Sequence, residues 1–353
     1  MTPNDNTESM CPYCNTPNPE LTDDHIFPQF LGGRRIVKIC RECNSRFGQT
    51  FEASTSRQLK CLQVFISHFG LDMTRNSATW PSALVIDNIT YDLTSGPDGA
   101  QYVLSKPVVN RDSMGKITGG KARSISEAQT IAKGLIKSGH AKEVEITQDA
   151  GAPFQDMILT ASFSFNPNLY RFATKLVAAV LIRFGKARLV SNSQIPAYLH
   201  GKDVHLATLA YCDIGPIIKL RPPLAHTIYV ELGDVSYGVV LLFGFQKLFV
   251  PLPFAPKNEA FLATLDPMTG DENFQNVEPI GPRTVPSYIR EPDVRRHIHE
   301  MNTILTQDAI LRGAKHPPNL ETKELDLGPP ATFVVDGPSS INFGSPAPRE
   351  SKK

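Results

Sequence analysis

Two Cys-x-x-Cys pairs constrain the N-terminal part of this chain more than any other feature. They are Cys11–Cys14 and Cys40–Cys43, and 25 residues separate them. Four thiolates at this spacing can hold one Zn²⁺ in tetrahedral geometry. The segment between the pairs is too short and too polar to bury a core of its own, so we expect zinc to supply the folding energy of a module of about fifty residues.

Two disulfides are the alternative for the same cysteines, and they would require an oxidising compartment. Residues 1–10 are polar and contain no apolar segment of the kind that a signal peptide needs. No apolar run elsewhere in the chain reaches the length of a membrane span. We therefore predict a cytoplasmic protein that does not enter a membrane and whose four cysteines bind structural zinc.

Three polar residues inside this module have the chemistry of a hydrolytic site. Asp24 and His25 follow the first cysteine pair, and Asn44 comes directly after the second. Carboxylate and amide oxygens suit Mg²⁺ or Mn²⁺ better than zinc, so Asp24 and Asn44 are candidate ligands of a second cation. An imidazole with an ordinary pKa near ~6.5 can accept a proton from water at neutral pH, which makes His25 a candidate general base.

The pattern also predicts the local structure that would present these groups. We expect a strand that ends near His25, a turn at Gly32-Gly33, a second strand over Arg35–Ile39 and a helix that starts near Asn44. Each of the three polar residues would then lie at or near the end of an element. Asp24 and Asn44 could converge on one cation in this arrangement.

The segments CPYC, DHIFP, LGG and CRECN occur in this order in the module. Together they resemble an HNH endonuclease of the ββα-metal finger type, in the branch with two zinc knuckles that includes phage Holliday-junction resolvases. The resemblance covers roughly the first sixty residues. It implies an endonuclease that hydrolyses phosphodiester bonds, with His25 as general base, Mg²⁺ or Mn²⁺ on Asp24 and Asn44, and structural zinc on the cysteines.

One position departs from that family pattern. Many HNH proteins carry a middle Asn about five residues before the second knuckle, where it orients the base. The corresponding segment here, Arg34–Lys38, contains no Asn. The group that orients His25 is therefore open, and a backbone carbonyl is one candidate. Glu52, two helical turns after Asn44, is a candidate for supporting the site, with a capping or salt-bridge role at the surface as the alternative.

Local charge favours a nucleic-acid substrate. Residues 30–60 carry seven basic side chains and two acidic ones, whereas the whole chain has a formal net charge of +1. We predict that this basic surface contacts DNA phosphates, which gives affinity without sequence information. The residues that we expect to make these contacts are Arg34, Arg35, Arg41 and Arg46. A solvated face without a ligand is the alternative for these charges.

A second function class fits the same motifs. A zinc-dependent nucleic-acid-binding protein without cleavage would keep the cysteines and the basic surface. It would use Asp24 and Asn44 only as hydrogen-bonding caps. Cleavage of plasmid DNA with Mg²⁺ or Mn²⁺ separates the two hypotheses, because only the nuclease requires His25.

The remaining chain predicts an α+β fold with antiparallel strands and a long core helix. At 353 residues there is room for more than one domain. We expect a disordered N-terminus at 1–10, the finger at 11–57, an α+β domain at 58–315 that opens with a linking helix at 58–75, and a Pro-rich flexible tail at 316–353. Predicted strands are 83–86, 89–91, 101–104, 144–147, 158–165, 227–232, 237–243 and 247–252, with a loop at 115–120. Predicted helices begin at Ser126, at Asn166-Pro167 and at Pro292.

The sequence of the larger part does not reveal its function. It carries no phosphate-binding glycine motif, and neither His200 and His205 nor His297 and His299 form a convincing metal pair. Two uses stay open. This part supplies DNA contacts or a homodimer interface, or it binds a small-molecule or protein activator and gates the nuclease. HNH nucleases are often fused to such sensors in bacterial defence against phages and plasmids, which here is an analogy.

Overall fold

The computed structural model describes residues 10–17, 19–68, 71, 79–86, 88–96, 99–147, 163–164, 166–202, 217, 219–244, 246–281, 303–315 and 340–341. The expected disorder before residue 10 and nearly all of the expected Pro-rich tail lie outside these ranges. So do most of the expected strand at 158–165 and the first part of the expected helix that starts at Pro292. Residues 303–311, at the end of that predicted helix, are helical.

The described residues form an α+β fold, as predicted. The strands are β1 (Leu21–His25), β2 (Ile36–Cys40), β3 (Thr79–Ile86), β4 (Ile89–Gly96), β5 (Gly99–Leu104), β6 (Val108–Arg111), β7 (Ile117–Lys121), β8 (Phe163–Ser164), β9 (His226–Leu232), β10 (Ser236–Leu242), β11 (Gln246–Pro251), β12 (Glu259–Leu265), β13 (Glu272–Val277) and β14 (Ser340–Ile341). The helices are α1 (Arg41–Phe47), α2 (Ala53–His68), α3 (Ile125–Lys137), α4 (Pro167–Arg183), α5 (Ala187–Ser191) and α6 (Ile195–Leu199). A 3-10 turn at Gln29–Leu31 and a π-helical segment at Gly48–Glu52 complete the finger.

The contacts divide the described residues into two compact units. One unit holds those of Met1–Leu59, Leu71–Asn76 and Ala161–Lys353, and the other holds those of Lys60–Gly70 and Ser77–Thr160. The finger and the sheet that contains β9 therefore share one unit. The domain boundary that we expect at residue 57 stays a prediction.

The finger has a ββα order. β1 and β2 pair antiparallel, with His25 opposite Ile36, and α1 begins directly after β2. Gly33 fits the turn between the strands because a Cβ there would lie 1.7 Å from the carbonyl oxygen of Phe27. The helix begins at Arg41 rather than near Asn44, because the Cys40 thiol accepts a hydrogen bond from the backbone N–H of Cys43 and caps the helix.

α4 is the core helix of the larger unit, as its apolar periodicity predicts. Asn166 caps it by accepting hydrogen bonds from the N–H groups of Asn168 and Leu169, and Pro167 occupies the first turn. One part of the helix surface packs on the sheet, where a Cβ at Gly238 of β10 would meet Val177 at 2.5 Å. The helix also contacts β2 and the π-helical segment of the finger. α4 thus touches the sheet and the finger at once.

The sheet of this unit is antiparallel, with strand order β11-β10-β9-β12-β13. The predicted meander corresponds to β9, β10 and β11, whose side chains are almost all buried. β12 and β13 were not predicted. They add to the free edge of β9 and extend the sheet. The short strands β8 and β14 pair with each other.

The smaller unit contains a three-stranded antiparallel sheet of β3, β4 and β5, the hairpin of β6 and β7, and helix α3. The predicted loop at 115–120 is wrong from residue 117 onwards, where β7 begins. Residues 115 and 116 lie in the turn before it, which Asp112 closes by accepting hydrogen bonds from the N–H groups of Met114 and Lys116. The predicted strand at 144–147 is also wrong, since these residues form no regular structure. The cap of α3 is Ser124 rather than Ser126, and it accepts from the N–H of Glu127. Among the described residues, no helix has the length and apolarity needed to cross a membrane.

Candidate active site

The four cysteines of the two pairs converge in the folded finger. Their sulfur atoms all lie within 4.8 Å of one another, and Cys11, Cys40 and Cys43 are buried. Backbone N–H groups of Cys40 and Cys43 donate to the sulfurs of Cys11 and Cys40 at 3.4 and 3.3 Å. A compact set of free thiols with such backbone donors fits a tetrahedral structural zinc. Within the described ranges, this is the one group of three or more Cys, His, Asp or Glu side chains placed to hold a metal ion.

The thiols of the cluster differ in how readily they ionise. A hydrogen bond from the Cys43 thiol lowers the pKa of Cys11, against the effect of burial. Burial raises the pKa of Cys40. Thiolates are the metal-binding form, so zinc binding would release the protons that these thiols still carry.

His200, which follows α6, reaches the cysteine cluster from outside the finger. Its Nε2 lies 3.5 Å from the Cys43 sulfur and 3.2 Å from the carbonyl oxygen of Tyr13, and its Nδ1 lies 2.9 Å from a guanidinium nitrogen of Arg46. Since a guanidinium only donates, Nδ1 accepts and the ring proton is on Nε2. Burial, assisted by the charge of Arg46, lowers the pKa of His200 and favours this neutral ring. The sequence pattern gave no sign of this contact.

Asp24 points into the protein. Side chains alternate along β1, so Asp23 faces solvent, where it pairs with Lys38, and Asp24 is 4% exposed. Its Oδ1 accepts a hydrogen bond of 2.7 Å from the ammonium of Lys175 on α4. The same ammonium donates to the carbonyl oxygen of His25 at 2.9 Å and lies 2.9 Å from Oε1 of Glu52. A buried lysine therefore joins both residues of the Asp24-His25 pair.

The charges of this cluster explain its pKa shifts. Burial raises the pKa of Asp24 to about 6, although Lys175 opposes the rise and Glu52 adds to it. Burial alone would lower the pKa of Lys175, but the two carboxylates raise it above its usual value. At neutral pH the lysine and Asp24 are therefore both charged. Oδ2 of Asp24 is buried and has no hydrogen-bond partner among the described residues.

Asn44 lies against β1 one residue away from Asp24. Its amide nitrogen donates to the carbonyl oxygen of Asp23 at 2.9 Å and to the hydroxyl of Thr22 at 3.1 Å. These bonds tie α1 to β1 and do not go to Asp24. Because the amide nitrogen is used in this way, the amide oxygen is the atom that Asn44 has left for a cation.

His25 is partly exposed at the end of β1. Its Nε2 lies 3.3 Å from the amide nitrogen of Gln29, in the 3-10 turn. With the amide in this orientation Gln29 donates, so Nε2 accepts and the ring proton is on Nδ1. Burial, with the charge of Lys175, lowers the pKa of His25, which keeps the ring neutral at neutral pH.

A carboxylate from the sheet lies close to the same part of the finger. Oε2 of Glu272, the first residue of β13, accepts a hydrogen bond of 2.7 Å from the backbone N–H of Arg35. Oε1 of Glu272 is buried without a partner among the described residues. Its charge acts on His25 and partly offsets the lowering of the imidazole pKa. Gln29 and Glu272 are thus two polar groups that act on the proposed base, whose family partner, the middle Asn, is absent from Arg34–Lys38.

The four arginines that we expect to contact DNA are all exposed. Arg41 pairs with Glu20, and Arg46 pairs with Glu42, each at 3.2 Å. Arg34 lies against Gly270, where a Cβ would come within 2.9 Å of its guanidinium. Exposed ion pairs are weak, so these partners do not prevent a phosphate from competing for the guanidinium groups.

Residues 11–60 match the model of the HNH endonuclease family. Neither the search of curated proteins nor that of solved structures finds a match. The matched segment includes both cysteine pairs, β1, β2 and α1. It supports a nuclease-type function, with DNA as the substrate and a divalent metal as is general for HNH nucleases. The N-terminal part of this chain, residues 11–60, is therefore an HNH domain with two zinc knuckles.

Proposed function

We propose that this protein is a metal-dependent endonuclease that hydrolyses phosphodiester bonds in DNA. His25 is the general base, and Asp24 and Asn44 hold Mg²⁺ or Mn²⁺. The observation that carries this proposal is the buried Oδ2 of Asp24, the residue before His25, which has no hydrogen-bond partner among the described residues. An unsatisfied buried carboxylate oxygen is costly, and a cation would satisfy it.

His25 takes the proton of the attacking water. Its lowered pKa keeps the ring in the form that accepts a proton at neutral pH. In the structure Gln29 donates to Nε2 and so occupies the accepting nitrogen of the neutral ring. The attacking water must replace Gln29 at Nε2 before this nitrogen takes its proton. The end of β1 is restrained, because Lys175 donates a hydrogen bond to the carbonyl oxygen of His25. The imidazole is thus presented from a rigid strand end toward solvent, from which the substrate arrives.

Asp24 and Asn44 provide an anionic and a neutral oxygen from two elements that hydrogen bonds keep together. This donor set suits a hard cation such as Mg²⁺ or Mn²⁺. When bound, such a cation supplies Lewis-acid stabilisation of the charge that develops on the phosphate and on the leaving 3′ oxygen. Arg34, Arg35, Arg41 and Arg46 are exposed and provide charge for the neighbouring phosphates of the DNA backbone.

By analogy, we also propose a biological role for the enzyme in defence against phages or plasmids. HNH nucleases fused to larger sensing domains act in defence against phages and plasmids, and here the HNH domain occupies only the first part of the chain. In that setting the nuclease acts in the cytoplasm. The larger part either binds an activator or forms a homodimer, which would place two active sites on the two strands of a duplex.

A plasmid-nicking assay tests the enzymatic proposal. The zinc-loaded protein is incubated with supercoiled DNA and Mg²⁺ or Mn²⁺, and His25→Ala is compared with the wild type. We expect a rate loss of about 10²–10⁴-fold, as is usual for removal of a general base, with DNA binding retained in a mobility-shift assay. His140→Ala is the matched control, because that imidazole is exposed in the smaller unit. DNA binding without nicking by the wild type would instead support the non-catalytic zinc protein.

A further inference from the structure

We propose that Lys175 is a positioning residue of the HNH site and that it acts together with Glu52. The lysine lies on α4, outside the segment that matches the HNH family, and it orients the Asp24 carboxylate toward the catalytic cation. This inference rests on the proposed function, because it assigns a role at the same site.

The first argument is the complete burial of the lysine. Its side chain is 0% exposed, so it cannot touch DNA. A buried ammonium is strongly unfavourable unless its charge is paired and its N–H groups have acceptors. Hydrogen bonds to Asp24 and to the carbonyl oxygen of His25 meet this need, together with an ion pair to Glu52. The position of the ammonium is therefore fixed by the finger.

The second argument is which atoms the ammonium takes. It binds Oδ1 of Asp24 and leaves Oδ2 buried without a partner. It also binds the backbone of the next residue, His25, at the end of β1. One side chain thus fixes the carboxylate of the proposed cation ligand and the main chain of the proposed base. A lysine that served only to join α4 to the finger would not need to contact both residues.

The third argument is the composition of the cluster. Two carboxyl groups, those of Asp24 and Glu52, face the single ammonium of Lys175. The π-helical segment ends at Glu52 and contacts α4, which brings this carboxylate within 2.9 Å of the ammonium. Short π-helical segments inside helices are frequent at functional sites.

The test measures Mn²⁺ binding to the full-length, zinc-loaded protein by calorimetric titration in the absence of DNA. Glu52→Gln removes one charge and keeps the shape of the side chain, and Lys175→Met removes the ammonium. We expect Mn²⁺ affinity to fall by about 10–100-fold in each variant, the usual effect of removing a group that orients a metal ligand. In nicking assays kcat should fall with the KM for DNA unchanged, because neither residue reaches the substrate. Lys247→Met, at another buried lysine on β11, is the matched control and should leave Mn²⁺ affinity unchanged.

Lys175→Met leaves two buried carboxylates without their counter-charge, so this variant can fail to fold. Glu52→Gln alone and the double variant Lys175→Met/Glu52→Gln keep the test decisive. In both variants the repulsion between the carboxylates of Asp24 and Glu52 is removed. Folded variants that bind Mn²⁺ and turn over as the wild type does, even with a lower Tm, would overturn the inference and leave a purely structural ion pair. The two proposals can also fail separately. If Lys175→Met weakens Mn²⁺ binding but the wild type does not nick DNA, this inference is supported and the proposed nuclease function is not.

Discussion

The zinc cluster and the Asp24-His25 pair lie in the same finger, but they are built in different ways. All four sulfur ligands come from Cys11–Cys43, and the backbone donors to these sulfurs come from the same segment. The Asp24-His25 pair, in contrast, is held by Lys175 from a helix far along the chain. A metal site built from local residues can be recognised by spacing alone. A site whose charged residue pairs with a residue distant in sequence can be recognised only when the folded structure is known.

The largest effect that this comparison predicts is the loss of the zinc cluster. Cys40→Ser removes a ligand and also the thiol that caps α1, so we expect the finger to lose zinc and unfold. Zinc content, nicking activity and resistance of residues 11–60 to limited proteolysis should fall together. Cys61→Ser is the matched control, because Cys61 is a buried cysteine outside the cluster and outside any disulfide.

A Cys40→Ser variant that loses zinc but keeps a protease-resistant finger would contradict the expectation that zinc folds the finger. The contacts with α4 would then be sufficient to keep the finger folded, and zinc would contribute less to its stability than the spacing of the cysteines indicates. Nicking by such a variant at the wild-type rate would show that the two sites are independent.

An intermediate effect is expected in the pH dependence of nicking. Asp24 must be ionised to bind a cation, and its pKa is raised to about 6, so the rate should fall as the pH drops below about 6. The pKa of His25 is lowered, so the base stays neutral below its usual value of ~6.5. Because each cation displaces one proton, a tenfold rise in Mn²⁺ should move this acid limb down by up to about one pH unit. An acid limb that does not respond to Mn²⁺ would assign it to His25 instead.

The parts of the fold that could be predicted are those that depend on neighbouring residues. The thiolate spacing, the cap of α4 at Asn166 and the apolar segments of β9 to β11, with glycines near their turns, are all local signals. The hairpin of β6 and β7 was missed because its turn depends on hydrogen bonds to one side chain, Asp112. β12 and β13 were missed because nothing in their own sequence indicates which strand they join.

The environment of the site could be predicted only in part. Asp24 and His25 lie at the end of β1, and Asn44 of α1 hydrogen-bonds to that strand. Their convergence on one cation stays a prediction, and the ion pair to Lys175 depends on how α4 packs. A signal for it does exist in the sequence. Lys175 follows Phe172 by three residues and precedes Leu176 directly, so a charged residue falls within the apolar stripe of the strongest helix. A buried charge needs a partner, which makes such a lysine a reason to look for a buried carboxylate.

The smallest effect that we predict is on zinc retention, through a residue that lies outside the finger. His200 donates from Nε2 near Cys43 and the carbonyl of Tyr13, and its ring packs on Phe47 with centroids 5.6 Å apart. His200→Phe keeps the ring and removes the hydrogen bonds, so zinc should be lost to a chelator up to about tenfold faster. At saturating DNA the nicking rate per zinc-loaded molecule should not change, because the contacts of His200 go to Arg46 and the zinc cluster rather than to Asp24 or His25. His140→Phe, at an exposed histidine, is the control. If His200→Phe loses zinc no faster than the wild type, residues of the finger alone determine zinc retention. The zinc cluster would then be entirely local, in full contrast to the Asp24-His25 pair.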